Sequence, residues 1–191
     1  MDMNSEAAKD WYHVIFGTYG SWLPGDPRGF RTRGHKLHCE GDYKNRPAAG
    51  QFESLHEYSQ SLMVREAVRL TLPQRKCVCS ALAESLKHYG ITVNEIAVAK
   101  QHMHLLAQFE MNDKQYKPQI MTLIGKCKRW AITKLKEQHL CDESSGKLWA
   151  KSGKVICMKN ERHFKNTSQY IMNHIREGAA VYSLMAGESE S

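Results

Sequence analysis

Two histidines lie two residues apart in the apolar segment 101–106, which reads Gln-His-Met-His-Leu-Leu. Because side chains alternate between the faces of a strand, His102 and His104 would point to the same side and could share one ligand. This geometry suits a divalent metal ion. The alternative is a pair of ordinary surface histidines, since the chain contains ten histidines in all.

A tyrosine and a histidine form a second candidate pair near the C-terminus. Tyr170 and His174 are four residues apart in segment 161–177, which is predicted to be helical, so both would lie on one face of that helix. A tyrosine in an amphipathic helix is commonly a half-buried core residue with its hydroxyl at the edge. Spacing alone therefore does not identify Tyr170 as a nucleophile.

Cysteine and histidine groups allow a zinc site to be considered. His35, His38 and Cys39 lie within five residues, and Cys77 and Cys79 are two residues apart. Cys-x-Cys on a predicted helix directs the two thiols differently, and the spacings match no standard zinc finger. We expect buried or spare reduced thiols instead, because the sequence contains neither a CxxC pair nor a secretory signal.

The composition favours a polyanionic partner. The 191 residues include 27 Lys and Arg against 20 Asp and Glu, which gives a net charge of +7. No window approaches eighteen consecutive apolar residues, and segment 1–10 is polar with three acids, so neither a membrane span nor a secretory signal is predicted. We expect a soluble cytoplasmic protein with no membrane partner and a single domain over 1–191.

The elements that must position these residues follow from periodicity and turn residues. The predicted order is a strand at 11–19, a long basic loop at 26–58, helices at 59–70 and 73–88, strands at 91–98 and 102–109, a helix at 117–138, one or two short strands within 148–158 bent at Gly153, and a helix at 161–177. Segments 1–10 and 187–191 are expected to fray. This order is typical of an α+β fold, a ferredoxin-like sandwich whose antiparallel sheet has helices on one face, here with a long N-terminal loop insertion.

The predicted helix 117–138 combines an apolar stripe with a basic side. The stripe consists of Ile120, Ile124, Cys127, Ala131 and Leu135. Seven Lys or Arg and no acid lie between residues 114 and 136. A solvated face is the common fate of such a run, but the absence of acids for i,i+4 pairing favours an external anion equally.

Together these segments resemble one family. The His-Met-His strand, the basic helix, a short β segment with Leu148-Trp149 and the terminal Tyr-Ile-Met-Asn-His of 170–174 resemble the single-tyrosine HUH transposases of insertion sequences, specifically the REP-associated tyrosine transposases. The segment 17–29, Gly-Thr-Tyr-Gly-Ser-Trp-Leu-Pro-Gly-Asp-Pro-Arg-Gly, is similar to the N-terminal motif of that family. By segment order the similarity covers roughly residues 12–180.

The resemblance implies a metal-dependent single-stranded DNA endonuclease and strand transferase. Such enzymes bind single-stranded DNA, often folded into an imperfect palindromic hairpin, and cut it through a 5′-phosphotyrosine intermediate that leaves a free 3′-hydroxyl. Tyr170 would be the catalytic nucleophile, and His102 and His104 would hold Mn²⁺ or Mg²⁺. The family's third ligand, commonly Gln or Asn, lies one helical turn after the tyrosine, where this chain has His174, with Asn173 in reserve. Three histidines would favour Mn²⁺ or another transition ion over Mg²⁺.

The same resemblance suggests which residues contact DNA. The candidates for phosphate contact are Lys126, Lys128, Arg129 and Lys134 of the basic helix and Arg28, Arg31 and Arg33 of the loop. The candidates for stacking on unpaired bases are Trp22, Phe30 and Tyr19, although Tyr19 more simply packs in the core.

Two other functions remain open at this stage. One is a non-catalytic module that binds hairpin DNA, and the other is a nicking enzyme of the replication-initiator or relaxase type. Nothing in the sequence decides between a monomer and a homodimer. DNA-directed activity would make the protein nucleoid-associated within the cytoplasm.

Overall fold

The computed structural model describes residues 9–30, 46–110, 116–141 and 147–184. The predictions for Arg31 and Arg33, for the zinc alternative at residues 35–39 and for the extreme chain ends lie outside these residues. The described chain divides into two compact units, one made of the residues before Gly20 and from Arg69 onward, the other of Gly20–Val68. The expectation of a single domain over the whole chain stays a prediction.

Five strands and four α-helices make up the described chain. In chain order they are β1 (Lys9–Thr18), α1 (Glu53–Ser61), α2 (Leu72–His88), β2 (Thr92–Val98), β3 (His102–Glu110), α3 (Tyr116–Glu137), β4 (Trp149–Cys157), α4 (Glu161–Asn173), a short 3₁₀ helix (His174–Glu177) and β5 (Ala180–Ser183). None of the helices in the described ranges is both long and apolar enough to cross a membrane.

The strands form one antiparallel sheet in the order β4-β1-β3-β2-β5. The first four strands thus have the arrangement of a ferredoxin-like fold, which confirms the predicted α+β class. The central strand β3 is buried on both faces from Met103 to Ala107, so side chains that point to either face are shielded from water. Strand β5 at the edge was not predicted, because its four residues are too few for alternation to be recognised.

Helices cover both faces of the sheet, which differs from the prediction of helices on one face. Helix α3 packs on the face that carries Tyr12 and Phe16, since the rings of Tyr12 and Tyr116 lie 5.1 Å apart and Lys128 Nζ lies 4.6 Å from the Phe16 ring. Helix α4 packs on the opposite face, where the ring of Phe164 lies 5.0 Å from that of Trp11. Since alternate residues of β1 face opposite ways, α3 and α4 are separated by the sheet.

The prediction of a helix at 59–70 is wrong, and so is the prediction of a loop that runs to 58. Helix α1 spans Glu53–Ser61 and contains no buried residue, so no apolar periodicity marked it in the sequence. The segment that follows is irregular. It lies against the tight turn at Gly20, which has φ of 71°, a conformation that favours glycine, and where a Cβ would lie 2.9 Å from Ala67 Cβ.

The predicted helices 73–88 and 161–177 agree closely with the structure. Helix α2 (Leu72–His88) begins after a capping box in which Thr71 and Gln74 bond each other's backbone amides. Gly178 follows the last helix with φ of 76°, and the final turn of that helix is 3₁₀. Where one or two short strands were predicted, a single strand β4 continues through Gly153, where a close approach to β1 and α3 leaves no space for a Cβ.

Candidate active site

Three histidines from two distant segments converge on the face of the sheet covered by α4. His102 and His104 project from β3, and His174 follows the end of α4. One ring nitrogen from each lies within 4.8 Å of those of the other two. The rings of His104 and His174 stack with centroids 4.6 Å apart, whereas His102 meets both nearly edge-on. The structure therefore brings together the three predicted ligands.

His104 is held by a fourth histidine that was not predicted as a site residue. His13 Nε2 on β1 lies 2.9 Å from His104 Nδ1, and both residues are buried. The other nitrogen, His104 Nε2, is buried without a hydrogen-bond partner. If Nε2 offers its lone pair to a cation, the proton must lie on Nδ1 and is donated to His13. His13 thus fixes the ring orientation and the tautomer that ligation requires.

His174 likewise has one ring nitrogen in a hydrogen bond and the other without a partner, and here the hydrogen-bond acceptor is a carboxylate. Its Nδ1 donates to Glu177 Oε2 at 3.1 Å, one turn further along the 3₁₀ helix. Its Nε2 is also buried and has no hydrogen-bond partner. A buried polar atom without a partner is costly, so two such nitrogens directed at one locus fit a site built to hold a cation.

Burial keeps two imidazoles of the cluster, those of His104 and His13, neutral at pH 7. Burial, with smaller contributions from His102, His13 and His174, lowers the pKa of His104 to about 2. Burial, followed by the nearby Lys154, lowers the pKa of His13 to about 4. Neutral imidazole is the ligating form, so His104 can bind a metal at neutral pH without losing a proton, and neutral His13 can accept the proton of His104 Nδ1.

Tyr170 lies at the open side of this cluster. Its side chain is 50% exposed, and its ring makes edge-on contacts with His104 and His174 at 5.3 and 5.0 Å between centroids. Asn173, the reserve ligand, is exposed and accepts a hydrogen bond from Gln169 at 3.1 Å. His174, by contrast, is buried and is one of the three clustered histidines.

Helix α4 is anchored to the sheet by apolar and polar contacts. Ile171 is fully buried in a cluster with Ala97 and Leu106. Ser168 Oγ donates to Glu95 Oε1 at 2.6 Å, which places a buried carboxylate of β2 beneath the helix. Asn160 caps the N-terminus by accepting a hydrogen bond from the His163 amide at 2.8 Å. These contacts fix the rotation of α4, so Tyr170 and His174 both lie on the side of the histidines.

The basic helix presents only part of its predicted phosphate-binding set. Lys126 and Arg129 are exposed. Lys134 pairs with Glu137 at 2.9 Å, an acid just beyond the acid-free run. Lys128 was predicted to contact phosphate, but it is buried and its Nζ donates a hydrogen bond to the Ala150 carbonyl. Burial lowers the pKa of Lys128 to about 8. Lys128 lies on the sheet side of α3, close to the apolar stripe.

Two residues near the N-terminal motif that were predicted to contact DNA, Arg28 and Phe30, contact neighbouring protein residues instead. Arg28 binds both carboxylate oxygens of Asp26 and the Ser21 carbonyl, and its guanidinium lies 4.4 Å from the centre of the Trp22 ring. Trp22 is 56% exposed and remains available for stacking. Phe30 is buried against Phe52, with ring centroids 4.9 Å apart, so its predicted role in stacking is wrong.

Among the described residues, the two cysteines of α2 belong to no metal-ligating group. Cys77 and Cys79 are both buried, and burial raises the pKa of the Cys79 thiol to about 12. Within the described ranges, the three histidines are the only group of three or more His, Cys, Asp or Glu residues with metal-ligating geometry.

The sequence contained a signal for each of the two residues that support the ligand histidines, His13 and Glu177. His13 stands in an apolar strand, where a histidine needs a polar partner, but nothing local identifies that partner as His104. Glu177 is three residues after His174, so helical spacing alone could have indicated the pair.

Comparisons with known proteins identify the family. The sequence profile described as "Transposase IS200 like" matches residues 62–174, which is more than half of the chain and includes the three clustered histidines and Tyr170. No curated protein matches the chain. Two solved structures are similar to it: a REP-associated tyrosine transposase bound to a REP hairpin, at 10% identity and a TM-score of 0.45 over 93% of this chain and 74% of that one, and a protein assigned as a transposase in Deinococcus radiodurans R1, at 15% identity and a TM-score of 0.42 over 91% of this chain and 96% of that one. The profile match shows that the chain belongs to the IS200-like transposase family.

Proposed function

We propose that this chain is a divalent-metal-dependent endonuclease and strand transferase acting on single-stranded hairpin DNA, of the REP-associated type that its motifs resemble. The observation that carries the proposal is the position of Tyr170, whose ring contacts two of three histidines clustered as metal ligands. Tyr170 is half exposed, so a DNA strand can reach it, whereas a tyrosine buried in the core would be inaccessible.

His102, His104 and His174 would hold the cation. The fit is supported by the buried Nε2 atoms of His104 and His174, which have no hydrogen-bond partner, and by the hydrogen bonds that their Nδ1 atoms donate to His13 and Glu177. An all-nitrogen ligand set favours Mn²⁺ or another transition ion over Mg²⁺. When bound, such an ion would polarise a scissile phosphate and stabilise the charge that develops on its oxygens.

The reaction is a transesterification in which Tyr170 exchanges one phosphodiester for another. Its phenolic oxygen forms a bond to phosphorus and loses its proton, while the bond from phosphorus to the 3′ oxygen breaks and that oxygen gains a proton. The products are a 5′-phosphotyrosine and a free 3′-hydroxyl. Because one ester bond replaces another, a second 3′-hydroxyl can reverse the step and rejoin DNA without a nucleoside triphosphate.

Exposed cations would position the DNA. Lys126 and Arg129 on α3 are free of any acid close enough for a salt bridge among the described residues and are suited to phosphate contacts. Arg28 is neutralised in large part by Asp26, so we assign it a structural role in the N-terminal motif. We propose that the chain acts as one nuclease domain at the nucleoid, as a monomer or homodimer.

The test is formation of a covalent protein–DNA adduct. Labelled single-stranded hairpins are incubated with Mn²⁺, Mg²⁺ or EDTA and resolved on a denaturing protein gel. We expect a metal-dependent adduct with the wild type and none with Tyr170→Phe. Tyr182→Phe is the matched control, since Tyr182 is a partly exposed tyrosine of β5 outside the histidine cluster, and should form the adduct normally.

Two other results would point elsewhere. Hairpin binding without an adduct under any metal would favour the non-catalytic binding module. An adduct that persists in Tyr170→Phe would assign the nucleophile to another residue.

A further inference from the structure

A cleft lies between α2 and α3, on the face of the sheet opposite to the histidine cluster. It has a volume of about 670 Å³, and six of its lining residues are Glu84, His88, Tyr89, Lys126, Arg129 and Trp130. This size lies within the range of roughly 300–1,000 Å³ that small-molecule sites occupy. Nothing in the proposed cleavage reaction uses it.

Two aromatic side chains in this cleft are exposed. Tyr89 is 41% and Trp130 is 38% exposed, although an aromatic residue is normally stabilised by burying its ring. Each ring is approached by an ammonium group, Lys126 Nζ at 5.4 Å from Tyr89 and Lys134 Nζ at 4.8 Å from Trp130. Aromatic faces interleaved with cations are the surface on which unpaired bases stack while their phosphates are neutralised.

The charges of the cleft suit a ligand that is anionic at one end and aromatic at the other. Lys126 and Arg129 are exposed and positively charged, and Glu84 is the one acid among the cleft residues within the described chain. Glu84 Oε2 accepts a long hydrogen bond of 3.5 Å from Trp130 Nε1, which leaves it able to accept a second bond from a base amino group.

We propose that this cleft binds an unpaired nucleotide of the DNA substrate, with its base stacked on Trp130 and its phosphate at Arg129 and Lys126. The proposal rests on the proposed function, because it takes DNA to be the substrate. It adds a recognition site that the sheet separates from Tyr170, since α3 and α4 lie on opposite faces. A strand that reaches both sites must pass around an edge of the sheet, so binding and cleavage are expected to respond to different residues.

The experiment measures affinity and adduct formation separately. Fluorescence anisotropy with a labelled hairpin that carries unpaired nucleotides compares the wild type with Trp130→Leu and Trp130→Phe. Loss of base stacking should weaken binding about 5- to 150-fold in Trp130→Leu, whereas the phenyl ring should restore most of the affinity. With DNA at saturating concentration, Trp130→Leu should still form the Tyr170 adduct. Melting temperatures close to that of the wild type confirm that the variants are folded.

Two variants that each remove one positive charge test the phosphate contact. Arg129→Gln should reduce the slope of log affinity against log salt by about one, as expected for one lost phosphate contact. Lys117→Gln, an exposed lysine of the same helix outside the cleft, should leave the slope unchanged. Deoxynucleoside monophosphates are added as competitors, and competition only at much higher concentration than the oligonucleotide supports a DNA site.

Several results would overturn this assignment. Folded Trp130→Leu that binds the hairpin as tightly as the wild type would exclude stacking in the cleft, and equal salt effects of Arg129→Gln and Lys117→Gln would exclude a localised phosphate contact. Free monophosphates that bind as well as the oligonucleotide would make the cleft a mononucleotide site instead. If no adduct forms with any metal while Trp130→Leu still loses affinity, the proposed nuclease function fails and the cleft assignment stands.

Discussion

Replacing His13 by leucine should weaken Mn²⁺ binding about 10- to 100-fold, the usual effect of removing an outer partner of a metal-ligating histidine. In the wild type, His104 Nδ1 lies 2.9 Å from His13 Nε2. Because His13 is only 6% exposed, water is not expected to replace the lost ring. The leucine variant therefore leaves a buried donor unpaired when His104 ligates through Nε2, at a cost of about 1–3 kcal/mol. That cost corresponds to about 5- to 150-fold in affinity, in agreement with the first figure.

The assay is calorimetric titration of the purified protein with Mn²⁺. His13→Gln should recover part of the affinity, because its side-chain oxygen can accept the His104 proton. His88→Leu controls for the loss of one histidine, since His88 is exposed on α2 and outside the cluster. If folded His13→Leu binds Mn²⁺ as tightly as the wild type, His13 does not support the ligand. If the wild type binds no divalent metal, the cation site itself is wrong.

Three further predictions follow from the same geometry. The free energy of unfolding of the metal-free protein should fall as the pH drops below about 6.5, because burial lowers the pKa values of His13 and His104 to about 4 and 2 and unfolding therefore takes up protons. Each histidine changes that free energy by up to about 1.4 kcal/mol per pH unit. Urea unfolding in EDTA measures the effect, and a flat profile between pH 7.5 and 5 would contradict it. His174→Ala should abolish metal-dependent adduct formation while Asn173→Ala retains it, and the reverse result would move the third ligand to Asn173. Gly153→Ala should destabilise the protein by about 1–3 kcal/mol, since its Cβ would lie 2.8 Å from a β1 carbonyl oxygen, and an unchanged urea midpoint would contradict this.

Elements with their own periodicity were predictable, and those that depend on tertiary contacts were not. Helix α3 carries an apolar stripe of five fully buried residues, and strands β2 and β3 contain the short apolar runs 96–98 and 105–107, so their positions could be predicted closely. Helix α1 has no buried residue, and β5 exists because it pairs with β2, so neither left a periodic pattern. The burial of Lys128 was likewise missed, because a charge run does not show which of its members faces the sheet.

The sequence by itself determined the chemistry of the candidate site and its pairwise geometry. Alternation along a strand places His102 and His104 on one face, and helical spacing places Tyr170 near His174, whatever the rest of the chain does. Only the tertiary structure decided that these two pairs meet, that His13 supports His104 across the β1–β3 pairing, and that α4 covers the face opposite to α3. Local patterns could not show these contacts, because backbone periodicity relates residues only a few positions apart. The site joins segments about 70 residues apart, and the order of the strands and the burial of side chains bring them together.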